Sequence, residues 1–313
     1  MKILKPKFWH KKNSFLSFLL LPASILLQFI IIIKKTLKRK KKFSIPVICV
    51  GNIYIGGTGK TPLCIELTEI LRKYNKKTAI IKKFYKNQED EFRLIESKKV
   101  KLFKNISRVD AIKKAEIEKF DCVVLDDGFQ DPSITKNLNI ICFNEKQLIG
   151  NGMTLPSGPL REPFSSIKNS QIILINGNFN KVFEEKIRAV SSSISIYYSE
   201  YFPTNLAKFA NQDLLAFAGI GNPSNFFKLL DENNLKIVKK VSFPDHYNYS
   251  LEELENLVKY SKDNKLKMIT TTKDYFRIKH YNIPEIEYLD TNLKIKNKDK
   301  FEEEIKNVFS KNY

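Results

Sequence analysis

Histidine and cysteine are scarce in this chain, with three and four among 313 residues. Cys49, Cys64, Cys122 and Cys142 stand far apart, with no CxxC pair and no histidine nearby, which excludes a zinc site of ordinary spacing and a disulfide scaffold. Three of the four fall inside apolar, strand-like runs, so the expectation is buried, reduced thiols of a cytosolic compartment. No Asn-Lys-x-Asp segment is present to read guanine, and there is no internal repeat. Acidic residues are missing altogether from residues 1–43, which carry twelve basic ones. The formal net charge is +20, from 54 Lys and Arg against 34 Asp and Glu, so the remaining 270 residues carry only about +8. The basic excess therefore flanks an amino-terminal apolar run and does not interleave with aromatics on a folded face. That pattern disfavours a nucleic-acid partner and points to an anionic membrane surface. No obligate protein partner is evident.

Charge is also missing from Ser14–Ile33, twenty residues that as one helix would be long enough to cross a bilayer. The lysine cluster that follows excludes the small-residue cleavage site of a secretory signal peptide. The segment either spans or lies in the headgroup region, with Trp9 and the flanking lysines at the interface. Pro22, in the middle of the run, favours the second arrangement.

Beyond this segment, 42% hydrophobic and 28% charged residues suit a chain that buries a sizeable core. Short apolar strands are expected at Ile45–Gly51, Thr78–Ile81, Asp121–Leu125, Asn139–Phe143 and Gln171–Asn176, with helical patterns at Lys60–Lys73 and Ala111–Lys119. Alternation of this kind predicts an α/β fold, a parallel sheet with helices on both faces. A second strand and helix set follows from about Leu206. The division expected is an amino-terminal membrane-associated helix over 1–43, a phosphate-loop core over 44–176, an irregular hinge over 177–204 and a smaller α/β lobe over 205–313.

Gly51–Pro62 reads GNIYIGGTGKTP, a glycine-rich loop between a strand and a helix. Gly56, Gly57, Thr58 and Gly59 let successive backbone N–H groups turn toward a phosphate, Lys60 reaches its outer oxygens, and the Thr61 hydroxyl suits Mg2+. These are the features of an ATP site. Asp126-Asp127 closes an apolar strand, where phosphate-loop enzymes hold a carboxylate that acts on the metal. Arg161, in the aperiodic loop 150–163, can stabilise transferring phosphate charge. Glu89-Asp90-Glu91 offers a candidate base, and His246 lies in Phe243–Tyr247. The residues by themselves leave a structural role open for both. They also leave open a membrane-recruited switch ATPase of the partitioning type, although Ile55 stands where such switches carry an additional lysine.

Taken together, VGNIYIGGTGKTP (50–62), DDGFQ (126–130), GNGMTLPSGPLREP (150–163), AFAGIGNPSNFF (216–227), FPDHYNY (243–249) and TTTKD (270–274) resemble the tetraacyldisaccharide 4'-kinase family. The resemblance runs from the amino-terminal apolar segment to Arg277. It implies a phosphate-loop kinase on the cytoplasmic face of the inner membrane, moving the γ-phosphoryl group of ATP, with Mg2+, to the 4'-hydroxyl of an acylated glucosamine disaccharide 1-phosphate. It further implies Lys60 and Thr61 at the nucleotide phosphates and metal, and Asp127 as the metal carboxylate. Gln130 and Arg161 would lie near the transferring phosphate, and Asp90 would pair with His246 to activate the sugar hydroxyl. Departures from the family pattern are Asp131 for histidine, Lys83-Phe-Tyr-Lys86 for Arg-Gly-Tyr-Gly, Glu89 for glycine and Thr272 for glutamate.

Overall fold

The computed structural model describes residues 6–85, 89–245 and 247–310, the side chain of Asp90 excepted. In chain order the elements are α1 (Phe15–Leu19), α2 (Leu21–Leu37), β1 (Val47–Gly51), α3 (Lys60–Lys73), β2 (Thr78–Lys83), α4 (Glu89–Ser97), β3 (Lys101–Asn105), α5 (Arg108–Ile117) and β4 (Cys122–Asp126). They continue with β5 (Leu138–Asn144), β6 (Ile172–Asn176), α6 (Lys181–Val190), β7 (Ser195–Pro203), β8 (Asp213–Ala218), α7 (Pro223–Glu232) and β9 (Lys236–Ser242). The last are α8 (Leu251–Asp263), β10 (Lys267–Thr271), α9 (Thr272–Ile278), β11 (Ile286–Leu289), β12 (Thr291–Ile295) and α10 (Lys298–Ser310). Two compact units result, Met1–Phe84 with Val100–Glu200 and Lys294–Tyr313, and Tyr85–Lys99 with Tyr201–Leu293.

The first unit is built on an eight-stranded sheet of order β12-β7-β6-β5-β1-β4-β2-β3. From β1 the chain moves outward to β2 and β3, returns to insert β4 beside β1, and continues to β5 and β6 on the other side. Its direction thus reverses around β1, and ligands of such sheets bind outside the carboxyl ends of the strands at that reversal. Every residue of β1 and β4 is buried. The near-continuous apolar runs Val47–Val50 and Cys122–Leu125 therefore belong to parallel strands covered on both faces. Register places Val50 and Lys82 on either side of Asp126 at those carboxyl ends.

Two expected boundaries change. Residues 177–204 are not a hinge but contain α6 and β7, and β7 pairs with β6 from Ile172↔Ser195 to Asn176↔Ser199. Serines interrupt the apolar alternation there and conceal a strand that is only partly buried. A side-chain cap from Asn180 to the Phe183 N–H starts α6, whose Phe183 and Ile187 join the main core. The smaller lobe also ends before residue 313, because α10 buries Phe301, Ile305 and Val308 in the first unit. Phe301 meets Tyr197 of β7 edge-on at 5.1 Å between ring centroids.

The uncharged amino-terminal run is two helices. The break falls at Leu20, and Pro22 occupies the first turn of α2, where its missing N–H costs nothing. With 17 residues α2 is about 25 Å long, short of the roughly 30 Å hydrocarbon core. No described helix is long and apolar enough to cross a membrane.

The second unit holds the four-stranded sheet β11-β10-β8-β9, whose neighbours are all parallel. Here α4 docks on α9 through Arg93 Nη1 to the Phe276 carbonyl at 3.1 Å and Lys273 Nζ to Glu91 Oε1 at 2.6 Å.

Candidate active site at the phosphate loop

Between Gly51 and Lys60 the backbone must turn sharply from strand to helix, and Gly56 and Gly59 do so with φ of 117° and 90°, where a side chain is strained. The buried Asn52 amide braces the turn, donating to the Gly56 carbonyl at 3.1 Å and to Thr58 Oγ1 at 3.0 Å. A Cβ at Gly57 would meet no described atom within 4 Å, so the crest of the turn faces open space. Backbone N–H groups at such a turn, ahead of a helix N-terminus, form a cradle for an anion.

Beneath the loop lies a buried polar cluster. Thr61 Oγ1 donates to Asp126 Oδ2 at 2.9 Å, and Lys82 Nζ donates to the same oxygen at 2.5 Å. Asp126 is 0% exposed and Lys82 4%. The other carboxylate oxygen, Asp126 Oδ1, is buried without a hydrogen-bond partner among the described residues. A bare buried oxygen beside a threonine hydroxyl suits a divalent cation, which takes oxygen ligands from one or two carboxylates and from substrate phosphates. Among the described residues no cage of three or more His, Cys, Asp or Glu is gathered.

Asp127 follows with φ of 60°, its N–H donating to the Val50 carbonyl at 2.9 Å. This conformation turns the carboxylate toward the loop cations. Arg161 Nη1 lies 2.9 and 3.0 Å from its two oxygens, and Lys60 Nζ lies 3.6 Å from Oδ1. Burial disfavours the Asp127 charge, but Lys60 and Arg161 outweigh that and bring its pKa down to about 2. Gln130 Nε2 donates to the Asn52 carbonyl at 2.8 Å, which ties the DDGFQ turn to the phosphate loop.

Of the residues expected from sequence, Lys60, Thr61, Asp127, Gln130 and Arg161 form one connected cluster with the loop glycines and Thr58. The metal carboxylate expected at Asp127 meets a different geometry. Asp126, the last residue of β4, is the one bonded to Thr61, while Asp127 is engaged by cations. Asp90 lies in α4, with its side chain outside the described residues, and His246 is itself outside them. The segments that carry them share an anchor in the second unit. α9 holds α4 as described above, and its Asp274 and Arg277 bind the Tyr249 hydroxyl at 3.0 Å and the Tyr247 carbonyl at 3.5 Å.

Three contributors escape a sequence reading. Asn52 and Lys82 signal themselves only as polar residues at the ends of apolar strands, and Arg108 reaches the Asp127 carbonyl at 2.7 Å from the start of α5. All four cysteines are free and buried, and burial pushes the Cys49 thiol up to about 11 and Cys142 to about 12, so neither is a nucleophile.

The family model of tetraacyldisaccharide-1-P 4'-kinase matches residues 16–106 and 90–310. A Pelagibacter ubique protein named tetraacyldisaccharide 4'-kinase is 46% identical over 302 residues, covering 94% of this chain and 95% of that one. A Rickettsia typhi protein of the same name is 32% identical over 322 residues, covering 97% and 98%. The fold matches a crystal structure of Aquifex aeolicus LpxK in complex with ATP, with TM-score 0.73 and 24% identity over 94% of this chain and 99% of that one. With its phosphate loop, strand-end carboxylates and Arg161 loop in the places described, the chain belongs to the tetraacyldisaccharide-1-P 4'-kinase family.

Proposed function

We propose that the chain transfers the γ-phosphoryl group of ATP to the 4'-hydroxyl of a tetraacyldisaccharide 1-phosphate at a membrane surface. The observation that carries this reading is the convergence of Lys60 and Arg161 on Asp127 beside a glycine cradle whose crest is open. Phosphoryl transfer passes through a loose transition state with charge spread over the phosphate oxygens, so catalysis is mostly positioning and charge stabilisation. Lys60 and Arg161 supply that charge, and Asp127 keeps both side chains extended toward the loop. Magnesium would be held by Thr61 and Asp126 with the nucleotide phosphates, and it neutralises charge on the β and γ oxygens when bound. The assignment of Asp126 rests on its bond to Thr61 and its bare Oδ1.

The acceptor hydroxyl is a weak nucleophile at neutral pH, and a carboxylate–imidazole pair that takes its proton contributes about 10²–10⁴-fold. Asp90 and His246 fill that role in this reading, supported by the common anchoring of their two segments on α9. Membrane association rests on the outward side of α1 and α2, where Phe15, Phe18, Leu19, Ile25, Leu26 and Phe29 are exposed, with basic residues following from Lys34 to Lys42. The acidic lipid leaflet of the cytoplasmic face fits that charge. Family membership leaves the partitioning-type switch without support.

The test is a product-identified assay of the full chain with ATP, Mg2+ and a tetraacyldisaccharide 1-phosphate in detergent micelles. A 4'-phosphorylated product is expected. ATP consumption with no phosphorylated sugar would defeat the proposal.

A further inference from the structure

The amino-terminal helices carry a polar stripe that their membrane role does not explain. Ser24, Gln28 and Lys35, spaced 4 and 7 residues apart, share one face of α2, and Ser17 stands on the preceding α1. That face lies along the loop 150–163. Ser17 Oγ accepts from Asn151 Nδ2 at 3.0 Å, Ser24 Oγ donates to Ser157 Oγ at 2.8 Å, Gln28 Nε2 donates to the Arg161 carbonyl at 3.2 Å, and Lys35 Nζ pairs with Glu162 Oε2 at 2.7 Å. On its other side the same loop grips the phosphate loop, with the Arg161 N–H donating to the Ile53 carbonyl at 2.7 Å and the Ile55 N–H to the Pro159 carbonyl at 2.9 Å. The Arg161 backbone is thus held from both directions, and its guanidinium lies on Asp127.

We propose that Gln28 and Lys35 are positioning residues for phosphoryl transfer: they set Arg161 from the membrane-facing helix, so the helix is part of the catalytic scaffold as well as an anchor. The inference builds on the kinase reading above. A side chain that stabilises transition-state charge loses much of its effect when displaced by about 1 Å, which can cost up to 10²-fold. The two tethers bracket the Arg161 peptide, one at its own carbonyl and one at the next side chain, where such a displacement would start.

Gln28→Leu and Lys35→Met, assayed in detergent micelles so that membrane attachment is not limiting, should each lower kcat by about tenfold or more while KM for ATP stays within about twofold. Lys35→Arg, which keeps the pair, should restore kcat. In an Arg161→Ala background the same substitutions should add less than about twofold, because their effect passes through Arg161. Trp9 is the one tryptophan of the chain, buried with its Nε1 donating to the Pro156 carbonyl at 3.0 Å, so its emission reports whether the segment is still docked. Unchanged emission with lowered kcat is the expected combination. Wild-type kcat in both variants, or a loss that persists in full without Arg161, overturns the proposal. Amide hydrogen exchange across residues 153–162 should quicken in Gln28→Leu, and unchanged exchange there overturns it whatever the acceptor is. A wild-type chain that phosphorylates no acylated disaccharide refutes the kinase reading instead, and the exchange measurement still decides the tether.

Discussion

Substituting Lys82 separates what the buried cluster does for stability from what it does for chemistry. Lys82 and Asp126 are almost wholly inside the protein and share one short contact, with Thr61 as the second donor to the same oxygen. In Lys82→Met the Asp126 carboxylate keeps only the Thr61 hydroxyl among these two donors. Removing one member of a buried pair costs about 3–5 kcal/mol, because the remaining charge stays desolvated. A loss of that size lowers Tm by on the order of 10 °C. Replacing both, as Lys82→Met with Asp126→Leu, removes the uncompensated charge. What remains is the lost acceptor of Thr61, about 1 kcal/mol. The double variant should therefore melt within a few degrees of wild type yet transfer no phosphate, since the proposed metal carboxylate is gone. Thermal denaturation followed by circular dichroism, beside the kinase assay, checks both halves. A single variant within about 1 kcal/mol of wild type, or a double variant as unstable as the single, refutes the reasoning about the pair. Phosphoryl transfer by the double variant refutes the assignment of Asp126.

The glycines separate in a similar way. Gly57→Ala, whose new Cβ meets no described protein atom, should leave Tm almost unchanged while ATP binding weakens, whereas Gly51→Ala, whose Cβ would lie 2.4 Å from Phe129 Cβ, should destabilise the fold outright; calorimetric ATP titration and melting curves distinguish them. Asp127 has a folded pKa of about 2 against an ordinary value of 3.8, so it contributes roughly 2 kcal/mol that is fully present above pH about 4 and is lost as pH falls through about 2. Asp127→Asn should flatten the acid limb of the stability curve over that window, and denaturant titrations from pH 2 to 6 would detect a limb left unchanged. Asp274 is buried and bonded to the Gly219 N–H, Tyr249, Thr271 and Arg277, so Asp274→Ala should cost about 3–5 kcal/mol in the second unit and lower kcat through the His246 segment; local hydrogen exchange over residues 213–289 reads the first effect and the kinase assay the second. Deleting residues 1–42 should release the chain from vesicles and also lower transfer in micelles, because the loop 150–163 loses its outer support. Full micellar activity in the truncation contradicts that support.

Much of the nucleotide site was legible because its signals are local. A glycine that must adopt positive φ, a lysine one residue later and a threonine after that lie within a single loop, and the apolar runs on either side announce strand and helix by period alone. The helical character of the amino-terminal run was legible for the same reason, since an uncharged run closed by lysines needs no partner to be recognised, but its division into two helices at Leu20 was not. Where local pattern was weak, reading failed: β7 follows a serine-rich stretch and is only partly buried, and its membership of the large sheet depends on β6 and β12 lying beside it.

Long-range order decided the rest. The sequence places Asp126 and Asp127 side by side and gives no means of choosing between them. Insertion of β4 between β1 and β2 brings Asp126 level with Lys82 and within reach of Thr61, while the left-handed turn at Asp127 sends the next carboxylate to Lys60 and Arg161. Likewise a serine, a glutamine and a lysine scattered through an apolar segment mean little until the loop 150–163 is laid against them. Local sequence determined the phosphate loop and the uncharged, lysine-closed run at the amino terminus. Only the packing of distant segments determined which oxygens and cations meet there, because hydrogen bonds and ion pairs are set over about 3 Å while the partners lie scores of residues apart.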